Sequence, residues 1–576
     1  MVPQSPSAEP QESDAQDTSA VNPDGNLSAR HQRLGLRTAI ISSLTLVSRV
    51  LGLVREVISA ALFGDKSGIY DAFITAWRIP NLFRRFLGEG ALSTSFQTAL
   101  TSTDADHGDA AGTALFFATL RMLLALLLAL TFIVIGAVAL MPDRMPVTGW
   151  EWLGGDPGAV RELTVRVMPY VVLVCISALF TGALQVRGKF GAPAIAPAAM
   201  NVVWIAALVV IMWRFGRHGP TPAAAGVGGA LGRARHLEMA QWLSFGVLAA
   251  GFVQLLVQLP ALRAAGFRWR ARALAFPSGA PQPTSVLRRA APLALGAAVY
   301  QINVMVDGLM AESLLPDGGP TLHYFANRIQ QFPLALVAVA ATSAVFPALQ
   351  ELGHSGARDE LRRLHDRTHL AIAAIAIPAS FGLFALAEPI IEVAFQRGAF
   401  GAEGVERTAL ALRVLAFAIL PAGATGLIAR TYYAMGDFVT PVRISFLVLV
   451  FNVALNAWFL VGLGMDIEGL AAATAITSAL NALLLLPGLK GKLELPRSTQ
   501  AVGRPLLRIS AAAALNAAVA IPVERVLDGP LGRTAALSIA IASGAGVYLV
   551  LGIALGLPEV DRIAKRLAPG RRNRTP

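Results

Sequence analysis

Residues 48–96 read SRVLGLVREVISAALFGDKSGIYDAFITAWRIPNLFRRFLGEGALSTSF, and this stretch decides how the whole chain is to be understood. It sets Arg49, Arg55, Glu56, Asp71, Arg78, Arg84, Arg85 and Glu89 into sequence that is otherwise apolar enough for a membrane interior. Apolar runs flank it, from Thr38 to Phe63 and again from Ala91. An ionisable group at bilayer depth costs about 2.5–3.5 kcal/mol on insertion scales, so it faces protein or water rather than lipid. So many on two adjacent helices imply a hydrated, cationic chamber inside a membrane protein. The ligand such a chamber suits is an anion.

Composition points the same way. Of 576 residues, 55% are hydrophobic and only 15% charged, with a mean hydropathy of +0.58; a soluble domain is nearer a quarter charged. Roughly twenty apolar residues span the hydrocarbon core. Fourteen such runs can be placed, near 38–63, 70–100, 110–141, 163–186, 194–213, 238–262, 288–314, 322–350, 368–396, 406–433, 442–464, 468–488, 506–524 and 533–556. The fold class is therefore an all-α polytopic membrane protein. An even count puts both termini on one side. Arg263, Arg268, Arg270, Arg272, Arg288 and Arg289 lie between the sixth and seventh runs. Lys490, Lys492, Arg497, Arg504 and Arg508 lie between the twelfth and thirteenth, and Arg571, Arg572 and Arg574 in the tail. All fall on the side of the termini, which the positive-inside rule makes the cytoplasm. Loop 214–236, with Arg217, Arg233 and Arg235, falls on the opposite side and runs against the rule.

The net charge of +12 does not imply a nucleic-acid partner, because the basic residues sit in loops and at chain ends, the pattern that orients membrane helices. The one cysteine, Cys175, allows no intramolecular disulfide, and no zinc-ligand spacing occurs. No nucleotide-binding glycine loop of the Walker type is present and no nucleophile–base pair can be assembled, so an enzyme is not expected. Residues 1–35 lack the apolar segment of a cleaved signal peptide and read as a disordered tail.

The chain also repeats itself. At an offset of 250 residues, Ala76, Arg78, Ile79, Ala91, Ser93 and Phe96 meet Ala326, Arg328, Ile329, Ala341, Ser343 and Phe346. At an offset of 247, Arg166-Val167-Met168 meets Arg413-Val414-Leu415, and each copy runs on to a glycine turn and a proline, Gly188…Pro193 and Gly436…Pro441. Six spans separate the copies, so both halves cross the membrane in the same sense, as in transporters whose two lobes rock about a central site.

Ser48-Arg49-Val50-Leu51-Gly52, Arg55-Glu56, Asp71-Ala72-Phe73, Ile79-Pro80-Asn81-Leu82-Phe83-Arg84-Arg85 and Gly88-Glu89-Gly90-Ala91 together resemble the signature of the lipid II flippases. These form the MurJ/MviN family of the multidrug/oligosaccharidyl-lipid/polysaccharide exporter superfamily. Weaker resemblance continues through Tyr324–Pro347 and Gly436–Pro441, so it covers roughly residues 36–560. It implies two pseudo-symmetric six-helix lobes plus two C-terminal helices. The corresponding divisions are a disordered cytoplasmic tail (1–35), an N-terminal lobe (36–265), a cytoplasmic linker (266–287), a C-terminal lobe (288–490), two extra helices (491–560) and a basic cytoplasmic tail (561–576). It further implies a monomer in the bacterial cytoplasmic (inner) membrane that moves undecaprenyl-pyrophosphate-linked peptidoglycan precursor, lipid II, to the outer leaflet during cell-wall biogenesis. Its functional arginines fall on Arg49, Arg55, Arg84 and Arg328, with Asp71 as an acidic companion. One departure is Asn327, where the family often has Asp.

Residue chemistry fits an anion. Arg meets phosphate bidentately with a planar, permanent charge, where Lys is a point charge. On an unbroken helix Asp71, Arg78, Arg85 and Glu89 form one stripe, which favours Arg85; the resemblance favours Arg84, and Pro80 disturbs the phase between them. Glu56, Asp71 and Glu89 can neutralise arginines while the site is empty or stay permanently paired. Arg55 alternatively snorkels to headgroups. In the second half, Asp307, Asn452, Asn456 and Thr474 offer oxygen ligands for a sodium ion, or hydrogen bonds between helices. No cofactor is expected beyond a coupling ion, sodium or proton. Two rivals stay open: a flippase for another lipid-linked oligosaccharide, and a cation-coupled multidrug antiporter, which wants a carboxylate-dominated pocket.

Overall fold

The computed structural model describes residues 23–85, 91–140, 156–216, 230–268, 282–338, 345–493 and 500–567, where all regular structure is helical. In chain order the helices are α1 (Pro23–Phe63), α2 (Gly68–Phe83), α3 (Ala91–Ala139), α4 (Pro157–Val167), α5 (Tyr170–Val186), α6 (Gly191–Gly216), α7 (Ala230–Leu256), α8 (Leu259–Ala264), α9 (Pro283–Leu314) and α10 (Gly319–Ala338). They continue as α11 (Phe346–Ser355), α12 (Arg358–Ala385), α13 (Ala387–Phe395), α14 (Ala402–Ala416), α15 (Ile419–Ala434), α16 (Val439–Ala457), α17 (Ile467–Leu493), α18 (Gln500–Leu531), α19 (Arg533–Ala554) and α20 (Pro558–Leu567). Helices are what a lipid solvent demands, since each satisfies its own backbone hydrogen bonds. Gly108, at φ 80°, divides α3 into two helices.

Among the described residues nine helices are long and apolar enough to cross a membrane, and the pair α14–α15, bent by 41°, makes a tenth. This is compatible with fourteen spans. The expected spans that miss the apolarity test are α1, α2 with the start of α3, α9, and α10–α11. These segments carry Arg49, Arg55, Glu56, Asp71, Arg78, Asp307, Glu312 and Arg328.

The repeat has a structural counterpart. Short α4 and α14 each break for two residues and continue as α5 and α15. Gly188 and Gly436 then close those helices in the left-handed region, at φ 70° and 78°, which an L side chain resists. Arg78 and Arg328 occupy matching places on α2 and α10. Ala341 and Ser343 of the repeat lie outside the described residues.

Two aromatic and aliphatic clusters hold the helices. In the first half Phe63, Tyr70 and Phe73 stack in series, and Trp77 and Trp204 meet edge-on at 4.9 Å. In the second, Ile372, Leu427, Tyr432, Leu485 and Leu489 pack α12, α15 and α17 together. Small residues seat the C-terminal helices on α12: Ala373 and Ala374 face Ala512 and Ala513, and the Tyr548 hydroxyl donates to the Ala374 carbonyl at 2.7 Å.

Polar contacts between the two halves cluster at one end, where the loops 63–68, 314–319 and 395–402 meet. The Ala399 amide donates to the Ala61 carbonyl at 2.9 Å, and Lys66 pairs with Glu403 at 2.6 Å. A Cβ on Gly318 or Gly398 would strike the backbone of Asp65 or Ala61, so glycine at both permits the closure. Below it the Thr75 hydroxyl donates to Glu312 at 2.7 Å.

Three expectations are corrected. The tail expected to be disordered over 1–35 is helical from Pro23, because α1 continues beyond the apolar run in residues compatible with a helix; residues 1–22 lie outside the described residues. The linker expected over 266–287 is partly packed: Phe267 is buried against Phe116, with ring centres 4.7 Å apart, and α9 already starts at Pro283. The tail expected from 561 begins inside α20. In loop 214–236, Arg233 pairs with Asp156 and Arg235 donates to the Phe215 carbonyl at the end of α6, while Arg217 lies outside the described residues.

Candidate functional site

A cavity of about 680 Å³ lies between the halves, walled by α1–α3, α5–α7, α9, α10, α15 and α17. Five arginines line it, Arg55, Arg78, Arg84, Arg85 and Arg328, against one carboxylate among the described lining residues, Asp307. A second cavity of about 410 Å³ opens between α1 and α10; Arg49, Arg85 and Arg328 line it. Arg85 and Arg328 thus belong to both.

Glu56 organises the centre. Its carboxylate accepts from Arg55 Nη2 at 2.5 Å and from the Tyr324 hydroxyl at 2.9 Å, and faces Arg328 Nε at 3.8 Å. Arg55 is 6% exposed, with its guanidinium 4.2 Å from the centre of the Trp204 ring. It is therefore an internal cation and does not snorkel. Charge-assisted bonds and ring stacking offset its desolvation. Arg328, about one-third exposed, is held more loosely.

On α2, Pro80 supplies no N–H to the preceding turn, and the helix ends in a widened turn at Arg84 and Arg85. Arg84 folds back on the Asn81 side-chain oxygen at 3.0 Å, while Arg85 reaches both cavities. Arg84, expected from the resemblance, and Arg85, expected from the stripe, therefore both line the main cavity. Arg78 crosses the bare backbone of Gly308, where a Cβ would collide with its guanidinium, and its Nη1 is buried without a hydrogen-bond partner. Arg49 is exposed on α1 and lines only the smaller cavity.

Asp71, expected as an acidic companion of the arginines, is engaged by backbone of the second half. It is 2% exposed, lines neither cavity, and accepts from the Gly318 amide at 2.6 Å, the Thr321 amide at 3.0 Å and the Thr321 hydroxyl. A carboxylate of the first half thereby caps the first turn of α10 in the second, where unpaired N–H groups and the helix dipole favour negative charge. Glu89 lies outside the described residues. Asn327 donates to His323 Nε2 of its own helix at 2.7 Å.

In the second half, Asp307, Asn452 and Asn456 come together. Asn456 Nδ2 donates to Asp307 at 2.7 Å and to Asn452 at 3.0 Å; Asn303 completes the Asp307 contacts at 3.2 Å. The hydroxyl partner is Thr477, 3.2 Å from Asn452 Nδ2, while Thr474 lines the main cavity instead. Three residues, less than one helical turn, separate the two threonines, and sequence spacing could not choose between them. Glu312 was also missed, having no motif around it. Asn456 Oδ1 is buried without a partner.

The profile of the family described as "Lipid II flippase MurJ" matches residues 59–538. The chain is 30% identical over 539 residues to a probable lipid II flippase MurJ of Bdellovibrio bacteriovorus, covering 92% of this chain and 96% of that protein. It is 32% identical to the Vibrio cholerae counterpart, over 80% and 84% of the two chains. Its fold is similar to a structure titled "Lipid II flippase MurJ, inward closed conformation", with a TM-score of 0.68 at 21% identity over 90% of this chain and 98% of that one. A multidrug resistance MATE family transporter in an inward-facing conformation gives a TM-score of 0.61 at 12% identity, over 80% and 99%.

The seam yields a prediction. Removing a helix cap costs about 1–2 kcal/mol, so Asp71→Ala should shift the seam from closed to open by roughly five- to thirtyfold. In a Lys66→Cys/Glu403→Cys background, crosslinking by a short bis-methanethiosulfonate reagent should fall accordingly; unchanged crosslinking would show that the cap does not hold the seam.

Proposed function

The chain belongs to the lipid II flippase MurJ family, and from that premise we propose that it moves lipid II from the inner to the outer leaflet of the bacterial cytoplasmic membrane by alternating access. The protein is then a multi-pass transporter of peptidoglycan biosynthesis, not an enzyme. The observation that carries the reading is the convergence of five guanidinium groups on one cavity inside an otherwise apolar helical shell. A pyrophosphate is the part of the substrate that such a set recognises. It competes with Glu56 for Arg328 first, since that cation is the less buried of the two facing the carboxylate. The same lining disfavours the cation-coupled drug antiporter despite the shared fold, because five arginines and one aspartate repel a cationic drug.

The polar seam lies at the end to which α1 runs from the N-terminus. With the termini cytoplasmic, that end is the outer one, and the sealed form receives substrate from the inner leaflet. The two six-helix lobes rock about the cavity, part at the seam, and release the head group outside.

Arg85→Ala and Arg328→Ala should each weaken binding of undecaprenyl pyrophosphate about ten- to hundredfold, the worth of one charged hydrogen bond at 1.5–3 kcal/mol. Neither should complement a strain depleted of its own flippase, and Arg→Lys should recover only part. Full growth with both Ala variants at normal membrane levels would remove the anion site from the account.

A coupling cation fits the second lobe. Asp307, Asn452, Asn456 and Thr477 supply oxygens from three helices, and the unpartnered Asn456 Oδ1 is available to a hard monovalent ion. Sodium acts only through different affinities for the two lobe arrangements. Sodium should therefore change the Lys66→Cys/Glu403→Cys crosslinking yield in the parent and not in Asp307→Asn. An identical response in both would make these residues hydrogen-bonding partners only.

A further inference from the structure

Three apolar helices each carry uncharged polar residues four apart, which places them on one face: Ser93 and Gln97 on α3, Ser177, Thr181 and Gln185 on α5, and Gln254 and Gln258 on α7 and its continuation. These faces meet. Part of the set ties helices together, as polar residues in membranes commonly do: Gln258 is fully buried, donates to the Ser177 hydroxyl at 2.6 Å and accepts from Thr181 at 3.0 Å.

The remainder faces the cavity. Gln97 Nε2 donates to Gln185 Oε1 at 2.9 Å, which leaves the Gln97 carbonyl and the Gln185 amide group unused by the described protein. Gln254 lines the cavity with a buried Oε1 that has no partner. α5 comes close to Ser93 and Gln97 at Gly182. This wall holds amides and hydroxyls and no charge. The nearest basic side chain beyond it on α5's end, Arg187, is occupied by Asp104 at 3.1 Å and by the Phe267 ring.

Resting on the flippase reading, we propose that this neutral wall, centred on Gln97, Gln185 and Gln254, is the subsite for the sugar of the lipid-linked head group. Side-chain amides both donate and accept, which matches the hydroxyl and acetamido groups of an amino sugar. The peptide's carboxylates would want cations that the wall lacks. Position agrees: the sugar is bonded directly to the pyrophosphate, and the wall adjoins the arginines. Cys175, two residues before Ser177, meets the carbonyl of Phe83, the residue before Arg84, at 3.9 Å.

The test compares two lipids on the purified full chain: lipid II, and undecaprenyl pyrophosphate, which has no sugar. Gln254→Leu removes an acceptor that has no protein partner, so a merely structural role predicts no loss of either ligand. The sugar subsite predicts lipid II binding about three- to tenfold weaker, with undecaprenyl pyrophosphate unchanged. Gln97→Leu, made separately, should show the same selective loss. A lipid-linked disaccharide lacking the peptide should lose affinity in parallel with lipid II; if it does not, the wall reads the peptide and the proposal is wrong. Equal loss of both lipids, or no loss, also overturns it. If the unmodified protein binds neither lipid, the flippase reading itself fails.

Discussion

A guanidinium inside a bilayer must have a counter-charge, an aromatic face or water, and in this protein Glu56 is where that requirement is concentrated. Its one carboxylate serves Arg55, Arg328 and the Tyr324 hydroxyl, two of them from α10 across the seam. Removing a single partner of a buried charge set costs about 3–5 kcal/mol, because the remaining charge is left uncompensated. The arrangement of helices follows from this. α1, α2, α9 and α10 each bring ionisable side chains toward the space between the halves.

The same two helices then link the site to the seam. α2 carries Asp71 and Thr75 at the seam and Arg78, Arg84 and Arg85 at the cavity; α10 offers its capped first turn to Asp71 and, further along, Tyr324 and Arg328 to Glu56. Neither helix can shift at the seam without displacing arginines. Under the proposed function, a phosphate that takes Arg328 from Glu56 weakens an inter-half contact, and binding is joined to opening through these two helices.

Much of this was legible in the sequence because charge in an apolar run has few physical explanations. The concentration of arginines in apolar sequence, the Arg78–Arg328 repeat and the Asp307, Asn452 and Asn456 oxygens were readable from residue type and spacing, and the family from the resemblance of residues 48–91 to a known signature. What escaped depended on contacts between segments distant in sequence. Asp71 looks like an anion-site companion until α10 is brought to it, some 250 residues on. Thr474 and Thr477 differ by less than one turn, and Glu312 finds its partner Thr75 only across the seam. Pro80 hid the choice between Arg84 and Arg85, since helical phase does not survive the widened turn.

The central claim is that transport requires the seam to part. Cys175 is buried, so a Lys66→Cys/Glu403→Cys protein offers two accessible thiols on an otherwise quiet background. The direct measurement is lipid II translocation in proteoliposomes before crosslinking, after crosslinking with a short reducible reagent, and after reduction. The account predicts that translocation stops when the seam is fastened and returns when the link is cut. Translocation that continues at the original rate through a fully crosslinked seam would contradict it.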